Sequence, residues 1–274
     1  MTIIDLMVHT YKESDIGSFF GFSTDYIHEH EYFSDYDNLI NIHWNRSGLP
    51  IGLEADGEPL LLGPGQLCTT TYLNKVRFTS NEGQLTTFAF NRPFYCIIDH
   101  DHEVSCNGIL FFGNQRPPVV TLSDSEIPKF EMIHEVMMDE YQTRDRVQGE
   151  MLRVLLKRLI IKTTRLAKDQ LLPREIDDEQ VDVIRKFKVL VDVHFREYHQ
   201  VSDYADLLFK SPKTLSNLFK QLNQQTPLQI IHERIVLEAK RKLIYTDKSV
   251  KEVAIDLGFN DLGSFHRLFK RTVN

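Results

Sequence analysis

The carboxy-terminal end of the chain contains two similar hydrophobic patterns about fifty residues apart. In the first, Val201, Ala205 and Leu208 recur at helical spacing, which predicts a helix with one apolar face. A second helix is predicted to start at Pro212, because Ser211 offers an oxygen that can cap free amides and proline suits the first helical position. Two such helices joined by a tight turn form a helix-turn-helix.

The second pattern repeats this arrangement. Its first helix is predicted from the apolar residues Val250, Val253, Ala254 and Leu257. The chain then turns at Gly258-Phe259, and a helix restarts at Asn260 or Asp261, either of which can cap it. Counting from Phe209 in the first copy and from Phe259 in the second, both reach an inward apolar residue after six positions and a Phe-Lys pair after ten. We therefore expect Phe209 and Phe259 to close equivalent turns, with one extra residue before the turn in the second copy.

One long helix is predicted between the copies, from about Ile230 to Ile244. Its apolar positions are Ile231, Ile235, Ala239 and Leu243. Pro227 lies near its start, where proline is tolerated in a helix.

The outward face of the second helix in the first copy carries candidate DNA contacts. Its inward residues are Leu215, Leu218 and Phe219, which leaves a polar and basic outer face of Lys213, Thr214, Ser216, Asn217 and Lys220. Such side chains reach phosphates and base edges in a major groove, where asparagine can read adenine and lysine guanine. We expect Lys213, Ser216 and Asn217 to contact bases, and Thr214 and Lys220 to contact phosphates or both.

The corresponding helix of the second copy has a more basic outer face, made of His266, Arg267, Lys270 and Arg271. Leu262 and Gly263 occupy its first outward turn, where a base-reading helix carries polar side chains. We therefore expect this copy to bind phosphates more than it reads sequence, with the role of His266 left open. For every one of these residues the alternative is a solvated helix face.

Together these residues resemble the DNA-binding domain of the AraC/XylS family of transcription regulators, from about Val183 to the end of the chain. The resemblance is carried by the motifs Ala205-x3-Phe209-x-Ser211-Pro212-x2-Leu215-Ser216-x2-Phe219-Lys220 and Val253-Ala254-x2-Leu257-Gly258-Phe259-x-Asp261-x3-Phe265-x-Arg267-x-Phe269-Lys270-Arg271. It implies two helix-turn-helix subdomains that enter successive major-groove segments on one face of double-stranded promoter DNA. It also implies RNA polymerase as a partner.

The upstream half has a different pattern, with short apolar runs separated by turn residues. Gly57-Glu58 and Gly63-Pro64-Gly65 are the strongest turn signals. The predicted strands are Leu39–Asn45, Pro50–Glu54, Pro59–Leu62, Gln66–Tyr72, Gln84–Ala89, Phe94–Ile98 and Ile109–Phe112. Short strands at this spacing favour an antiparallel barrel or sandwich. The family resemblance implies a small cupin-like barrel here.

Two helices are predicted after Pro117-Pro118, at Ile127–Tyr141 and Val147–Leu166. The second has a wide apolar stripe of Met151, Leu152, Leu155, Leu156, Leu159 and Ile160. Part of the stripe can pack on the barrel while the rest meets a partner subunit, by analogy with the helical dimerisation element of the family. Alternatively, the whole stripe is buried within one subunit. The polar segment that follows contains Pro173 and an acidic run, which is typical of a linker with a solvated face.

Charge is distributed unevenly along the 274 residues, a length that suits two domains. The overall charge of −7 argues against a nucleic-acid binder. However, residues 184–274 hold 16 lysines and arginines against 10 aspartates and glutamates, a net +6, so residues 1–183 carry −13. This asymmetry is expected for an acidic body attached to a DNA-binding module.

Three cysteines, Cys68, Cys96 and Cys106, form no C-x-x-C pair. Their odd number predicts neither a disulfide framework nor a structural zinc site and suits a reducing cytoplasm. The sequence shows no export signal and no run of about eighteen apolar residues, so we expect a cytoplasmic protein that is not membrane-bound.

Two clusters contain residues of metal-ligand type, namely His28-Glu29-His30 and His100-Asp101-His102-Glu103. The first lacks the downstream ligands that a metal-binding cupin carries, and the second follows an apparent strand, where a polar turn is expected. We predict no metal, no cofactor and no catalytic residue. The alternative is a ligand-binding or metal-dependent cupin-type enzyme whose helical tail serves protein contacts.

The sequence therefore predicts an α+β protein. Residues 1–168 form a cupin-like antiparallel β-barrel with helices, for sensing or dimerisation, residues 169–182 a linker, and residues 183–274 an all-α domain of two helix-turn-helix subdomains joined by a long helix. The predicted function is sequence-specific transcription regulation without enzymatic activity. A small-molecule effector and a second copy of the chain are further candidate partners.

Overall fold

The chain divides into two compact units in a computed structural model that describes residues 8–98, 100–101, 106, 108–112, 116–172, 177–221 and 225–273. The first unit comprises Met1–Phe111 and Arg116–Leu171, and the second comprises Leu172–Asn274 with Phe112–Gln115. The first unit contains the sheets and the second is helical. The predicted α+β class is thereby confirmed.

The described strands of the first unit form two antiparallel sheets. The strands are β1 Val8–Glu13, β2 Ser18–Ser23, β3 Ile40–Asn45, β4 Ile51–Ala55, β5 Glu58–Leu62, β6 Gln66–Thr70, β7 Val76–Phe78, β8 Leu85–Phe90 and β9 Val119–Thr121. One sheet has the order β1-β2-β8-β3-β6-β9 and the other β5-β4-β7. Phe19 and Leu85 of the larger sheet share a core cluster with Ile51 and Leu53 of the smaller one. The core of the unit thus includes side chains from both sheets, while its cupin-like form stays a prediction.

The predicted turns are confirmed, since Gly57 and Gly65 have φ values of +84° and +69° that side chains rarely adopt. Five of the predicted strands are also confirmed, as β3, β4, β5, β6 and β8.

The predictions of strands at 94–98 and 109–112 are wrong. The amides of Phe94 and Tyr95 bond back to the carbonyl oxygen of Asn91, and those of Ile109 and Leu110 bond back to Cys106. Both apolar runs form local turns, whose backbone hydrogen bonds take up these amides so that they are not available to a sheet.

Three α-helices are described in the first unit, α1 Tyr26–Glu29, α2 Ile127–Gln142 and α3 Gln148–Leu171, together with two short 3-10 helices at Ser14–Ile16 and His30–Phe33. Most of the apolar stripe on α3 is buried within the unit, at Leu152, Leu155, Leu156, Leu159 and Ile160. Met151 is exposed, together with Val147 and Val154. Burial within one subunit therefore accounts for most of the stripe.

Six helices are described in the second unit: α4 Asp178–His194, α5 Val201–Leu207, α6 Pro212–Gln221, α7 Pro227–Tyr245, α8 Val250–Asp256 and α9 Leu262–Val273. The predicted long helix corresponds to α7. Because α3 extends to Leu171 and α4 begins at Asp178, both ends of the segment predicted as a linker are helical. Pro173 lies outside the described residues, and the exact domain borders stay a prediction.

One hydrophobic cluster runs through the whole second unit. It includes Phe187 of α4, Phe219 of α6, Ile235 of α7, Val253 of α8 and Phe265 of α9. The two helix-turn-helix copies therefore share a core. Among the helices that the structure describes, none combines the length and hydropathy needed to span a membrane.

Candidate nucleic-acid interface

The first helix-turn-helix is formed by α5 and α6. Ser211 accepts a hydrogen bond from the Thr214 amide through its Oγ at 3.0 Å, which confirms it as the predicted cap. Leu215 and Phe219 are fully buried, and Phe219 packs edge-on against Phe187 of α4 with ring centres 5.0 Å apart. Because these inward residues fix the rotation of α6, its polar side faces away from the core.

The second helix-turn-helix is formed by α8 and α9. Ser249 caps α8, since its Oγ accepts from the Glu252 amide while the Glu252 carboxylate accepts from the Ser249 amide. Of the two predicted caps for α9, the structure uses Asp261, whose Oδ1 accepts from the Ser264 amide at 2.7 Å.

The turns of the two helix-turn-helix copies do not align at the residues that the sequence predicts. The Lys210 amide donates to the Ala205 carbonyl at 2.9 Å, and the equivalent bond in the second copy joins Phe259 to Ala254 at 3.0 Å. Phe209, with φ +53°, therefore takes the place of Gly258, with φ +81°. The equivalence of Phe209 and Phe259 is wrong, and the extra residue of the second copy follows the turn.

All nine residues predicted to contact DNA are exposed, on two helices of the same unit. Those on α6 are Lys213, Thr214, Ser216, Asn217 and Lys220, and those on α9 are His266, Arg267, Lys270 and Arg271. Neither helix contains an acidic residue. Both outer faces are consequently polar and basic, as a surface that meets phosphates requires.

Several of these side chains have partners within the domain. Arg267 donates to the Ser264 Oγ at 2.8 Å. Arg271 donates to Nδ1 of His232 on α7 at 2.9 Å. Burial and the neighbouring Arg271 guanidinium lower the pKa of His232, so its ring is neutral and can accept this bond. The contact directs Arg271 towards the connecting helix.

The sequence did not single out Lys210, which lies at the edge of α6. A groove of about 380 Å³ separates the start of α4 from α6, and its lining includes Lys210, Thr214, Asn217 and Glu179. Lys210 Nζ lies 3.6 Å from Glu179 Oε1. The signal available in the sequence was a lysine placed directly before the cap of a recognition helix.

A compact junction joins the two copies. The Nε2–H of His199 donates to the Leu257 carbonyl at 3.0 Å, and its ring stacks on Phe259 at 4.6 Å. A Cβ on Gly258 would overlap the carbonyl oxygen of Arg196, so only glycine fits this turn. The second turn is therefore packed against the segment that follows α4.

The connecting helix is held by a buried ion pair. Arg234 of α7 bonds to Asp192 of α4 at 2.6 Å and to Glu238 at 3.2 Å, and its guanidinium lies 3.9 Å from the ring centre of Phe195. Burial raises the pKa of Glu238, but the charges and hydrogen bonds of Arg234 and Arg196 together outweigh burial and leave that pKa below its usual value. The carboxylate therefore stays ionised, and the ion pair ties α7 to α4.

The described residues contain no group of three or more potential metal ligands. His28 bonds to Asp25 on the surface, and Nδ1 of His30 donates to the Ile27 carbonyl. His100 stacks on Tyr95 at 4.8 Å. His102 and Glu103 of the second cluster lie outside the described residues.

Two helix-turn-helix copies on a single core, each with an acid-free, exposed second helix, define the carboxy-terminal unit as a double helix-turn-helix domain. Residues 204–274 match the family model described as "Helix-turn-helix domain". The AraC/XylS resemblance is confirmed for this domain.

Two relatives match part of the chain. The bifunctional transcriptional activator/DNA repair enzyme AdaA of Bacillus subtilis (strain 168) is 32% identical over 95 residues, which are 35% of this chain and 44% of AdaA. The HTH-type transcriptional activator RhaS of Enterobacter sp. (strain 638) is 33% identical over 78 residues, which are 28% of each chain. The chain thus matches less than half the length of either relative.

Among solved structures, ToxT from Vibrio cholerae is similar at 14% identity and a TM-score of 0.39, over 97% of this chain and 92% of ToxT. The AraC-like transcriptional activator CuxR is similar at 12% identity and a TM-score of 0.34, over 87% of this chain and 89% of CuxR.

Proposed function

We propose that this chain is a sequence-specific DNA-binding transcription regulator that responds to a small molecule through its amino-terminal unit. The observation that carries the proposal is the pair of exposed, acid-free helices α6 and α9 on one core. Each of these helices begins at a capping residue that comes shortly after a tight turn, as does the helix of a helix-turn-helix that enters a major groove.

The roles of individual residues follow from their chemistry. Lys213, Ser216 and Asn217 read bases from α6, while Thr214 and Lys220 contact phosphates or both. On α9, Arg267, Lys270 and Arg271 bind phosphate, and His266 has no assigned role. Leu262 and Gly263 at the start of α9 are unsuited to reading bases, so sequence specificity resides mainly in α6.

Further partners belong to the same proposal. A regulator of promoters works in the cytoplasm and meets RNA polymerase there, and the activator names of AdaA and RhaS support this partner. A second copy of the chain is a candidate partner for the exposed Met151 and Val154 of α3 and for Val147, which directly precedes that helix. The proposed regulator has no enzymatic activity.

The first test is selection of binding sites from random duplex DNA by the purified full chain, followed by titration of the selected duplex at several salt concentrations. Two short conserved segments about one helical turn apart are expected if both copies engage, and one segment if only α6 reads bases. Affinity should fall by about a hundredfold or more between about 50 and about 200 mM salt, because bound phosphates release counterions. Binding that is insensitive to salt would refute the proposal.

Two substitutions separate base reading from phosphate binding. Asn217→Ala should cost about 1–3 kcal/mol and relax specificity at one position. Lys220→Ala should weaken binding to all sequences equally and reduce the salt slope by about 1. Lys129→Ala, a half-exposed lysine on α2 of the other unit, is the matched control and should change neither quantity. Equal losses in the control and in Lys220→Ala would contradict the assignment.

A further inference from the structure

A cavity of about 290 Å³ lies in the amino-terminal unit, between α1 with the segment after it and strands β3, β6 and β7. Aromatic rings form much of its wall, at Tyr26, Phe33, Tyr36, Tyr72 and Phe78. Tyr26 is central, since its ring lies 5.1 Å from Phe33 and 5.7 Å from Phe78. A cavity of this size that combines aromatic rings with polar side chains can hold a small molecule.

The polar groups of the wall are suited to a hydrogen-bond donor. Oδ1 of Asn41 is buried and accepts no hydrogen bond from the described residues. The other end of this amide, Nδ2, already donates to the Thr70 hydroxyl at 3.3 Å. The carboxylate of Asp37 lies at the rim of the cavity and is also an acceptor. An N–H group inside the cavity would therefore satisfy Asn41 and be attracted by Asp37.

The wall offers little to an anion. No lysine or arginine is among the described residues that line the cavity. Burial lowers the pKa of His43 to about 3, so its ring is neutral, and among the described residues it bonds to Thr87 and Thr70. The faces of aromatic rings are electron-rich and attract cations. The 15 lysines and arginines against 24 aspartates and glutamates in residues 1–171 give this unit a net charge of −9, which adds a field of the same sign.

We propose that this cavity binds a small organic amine in its protonated form. The rings of Tyr26, Phe33, Tyr72 and Phe78 cover the ligand and contact its cationic head, the Asn41 oxygen accepts an N–H, and Asp37 supplies the counter-charge. The Tyr36 ring is already occupied, because it stacks on Phe19 and its centre lies 4.7 Å from the Lys12 Nζ. The role of the cavity as the effector site of a regulator rests on the proposed function. Binding of the amine itself does not depend on DNA binding.

The experiment is calorimetric titration of the full chain with three molecules that share one phenol ring and differ in charge: tyramine, 4-ethylphenol and 4-hydroxyphenylacetate. It is carried out near pH 8, where exposed imidazoles are neutral. Tyramine is expected to bind saturably, 4-ethylphenol more weakly, and 4-hydroxyphenylacetate not at all.

Asp37→Asn should weaken tyramine binding about three- to fivefold, the range for an exposed ion pair, and leave 4-ethylphenol unchanged. Glu82→Gln is the matched control, because Glu82 is an exposed acid of the same unit that does not line the cavity. It should alter neither affinity.

The proposal is overturned if tyramine does not bind, if the carboxylate analogue binds as well as tyramine, or if Asp37→Asn and Glu82→Gln weaken tyramine equally. Titration of the selected DNA duplex in parallel keeps the two proposals apart. Salt-sensitive DNA binding without tyramine binding refutes only the amine site, and tyramine binding without DNA binding refutes only the regulator.

Discussion

At the scale of single residues, Phe209 and Gly258 occupy the same position in the two turns but are constrained differently. Phe209 has a left-handed backbone, and its side chain is 94% exposed, so the ring compensates little for the strain. Gly258 has a similar backbone and lies against the Arg196 carbonyl. The backbone of Phe209 is therefore strained although its side chain is not packed, whereas Gly258 is packed so closely that no side chain fits there.

Phe209→Gly should raise the free energy of unfolding of the second unit by about 0.5–1 kcal/mol, because glycine adopts the left-handed conformation without strain. Phe209→Ala removes the ring but keeps the Cβ, and should leave stability nearly unchanged. Urea denaturation of the full chain measures both. Equal stabilisation by the two variants would indicate that the ring, rather than the backbone, is the cause.

At the scale of elements, the connecting helix α7 depends on its ion pair with α4. Arg234 is almost completely buried, so its charge has little access to water and relies on Asp192 and Glu238. If one of these two carboxylates is removed, the buried positive charge of the arginine is poorly compensated. The folded state is then destabilised.

Asp192→Ala should therefore destabilise the second unit by about 3 kcal/mol. Asp206→Ala removes an exposed aspartate from α5 of the same unit and should change stability by less than about 0.5 kcal/mol. Thermal melting of both variants provides the comparison. Similar melting temperatures for the two would show that the pair contributes little.

The elements also show what the sequence can predict. The helices of the second unit have one apolar face and capped starts, so periodicity and Ser211 or Asp261 place them correctly. In the first unit, strand β2 was not predicted. All its residues are buried, so no alternation marks it as a strand, although β8, which is buried in the same way, was predicted from its apolar run. The run at Phe94 was misread for the opposite reason, since an apolar segment can be buried as a turn.

The candidate site was less predictable than the fold. The exposed faces of α6 and α9 follow directly from helical periodicity. The ion pair of Lys210 with Glu179 could not be predicted, because it brings together residues far apart in the chain. The aromatic cavity is similarly assembled from α1 and three strands, one of which, β7, was not predicted.

At the scale of the whole molecule, the first unit carries two buried histidines that should make it sensitive to acid. Burial lowers the pKa of His43 to about 3, and burial with the Arg46 charge lowers that of His134 to about 4. As the pH falls, both histidines take up a proton near pH 6.5 in the unfolded state, but only at a lower pH in the folded state. Stability is therefore lost as the pH falls from about 6.5 towards these folded values.

The melting temperature of the first unit should fall steadily from about pH 6.5 to about pH 4, with each histidine contributing about 1.4 kcal/mol per pH unit. His43→Gln removes one of these groups and should make the dependence shallower. The exposed His30→Gln is the control and should retain the wild-type slope. Calorimetric scans across this pH range test the prediction, and parallel slopes for His43→Gln and the wild type would contradict it.

The shared hydrophobic core of the second unit has a consequence for its architecture. The two copies look like a duplication, yet Ile235 and Ala239 of α7 belong to the same cluster as side chains from both copies. Either copy separated from the other would expose part of that cluster to water and lose its driving force for folding. Repetition in the sequence therefore does not give two autonomous modules, and the two copies fold as one body. Their common core also fixes the distance between α6 and α9.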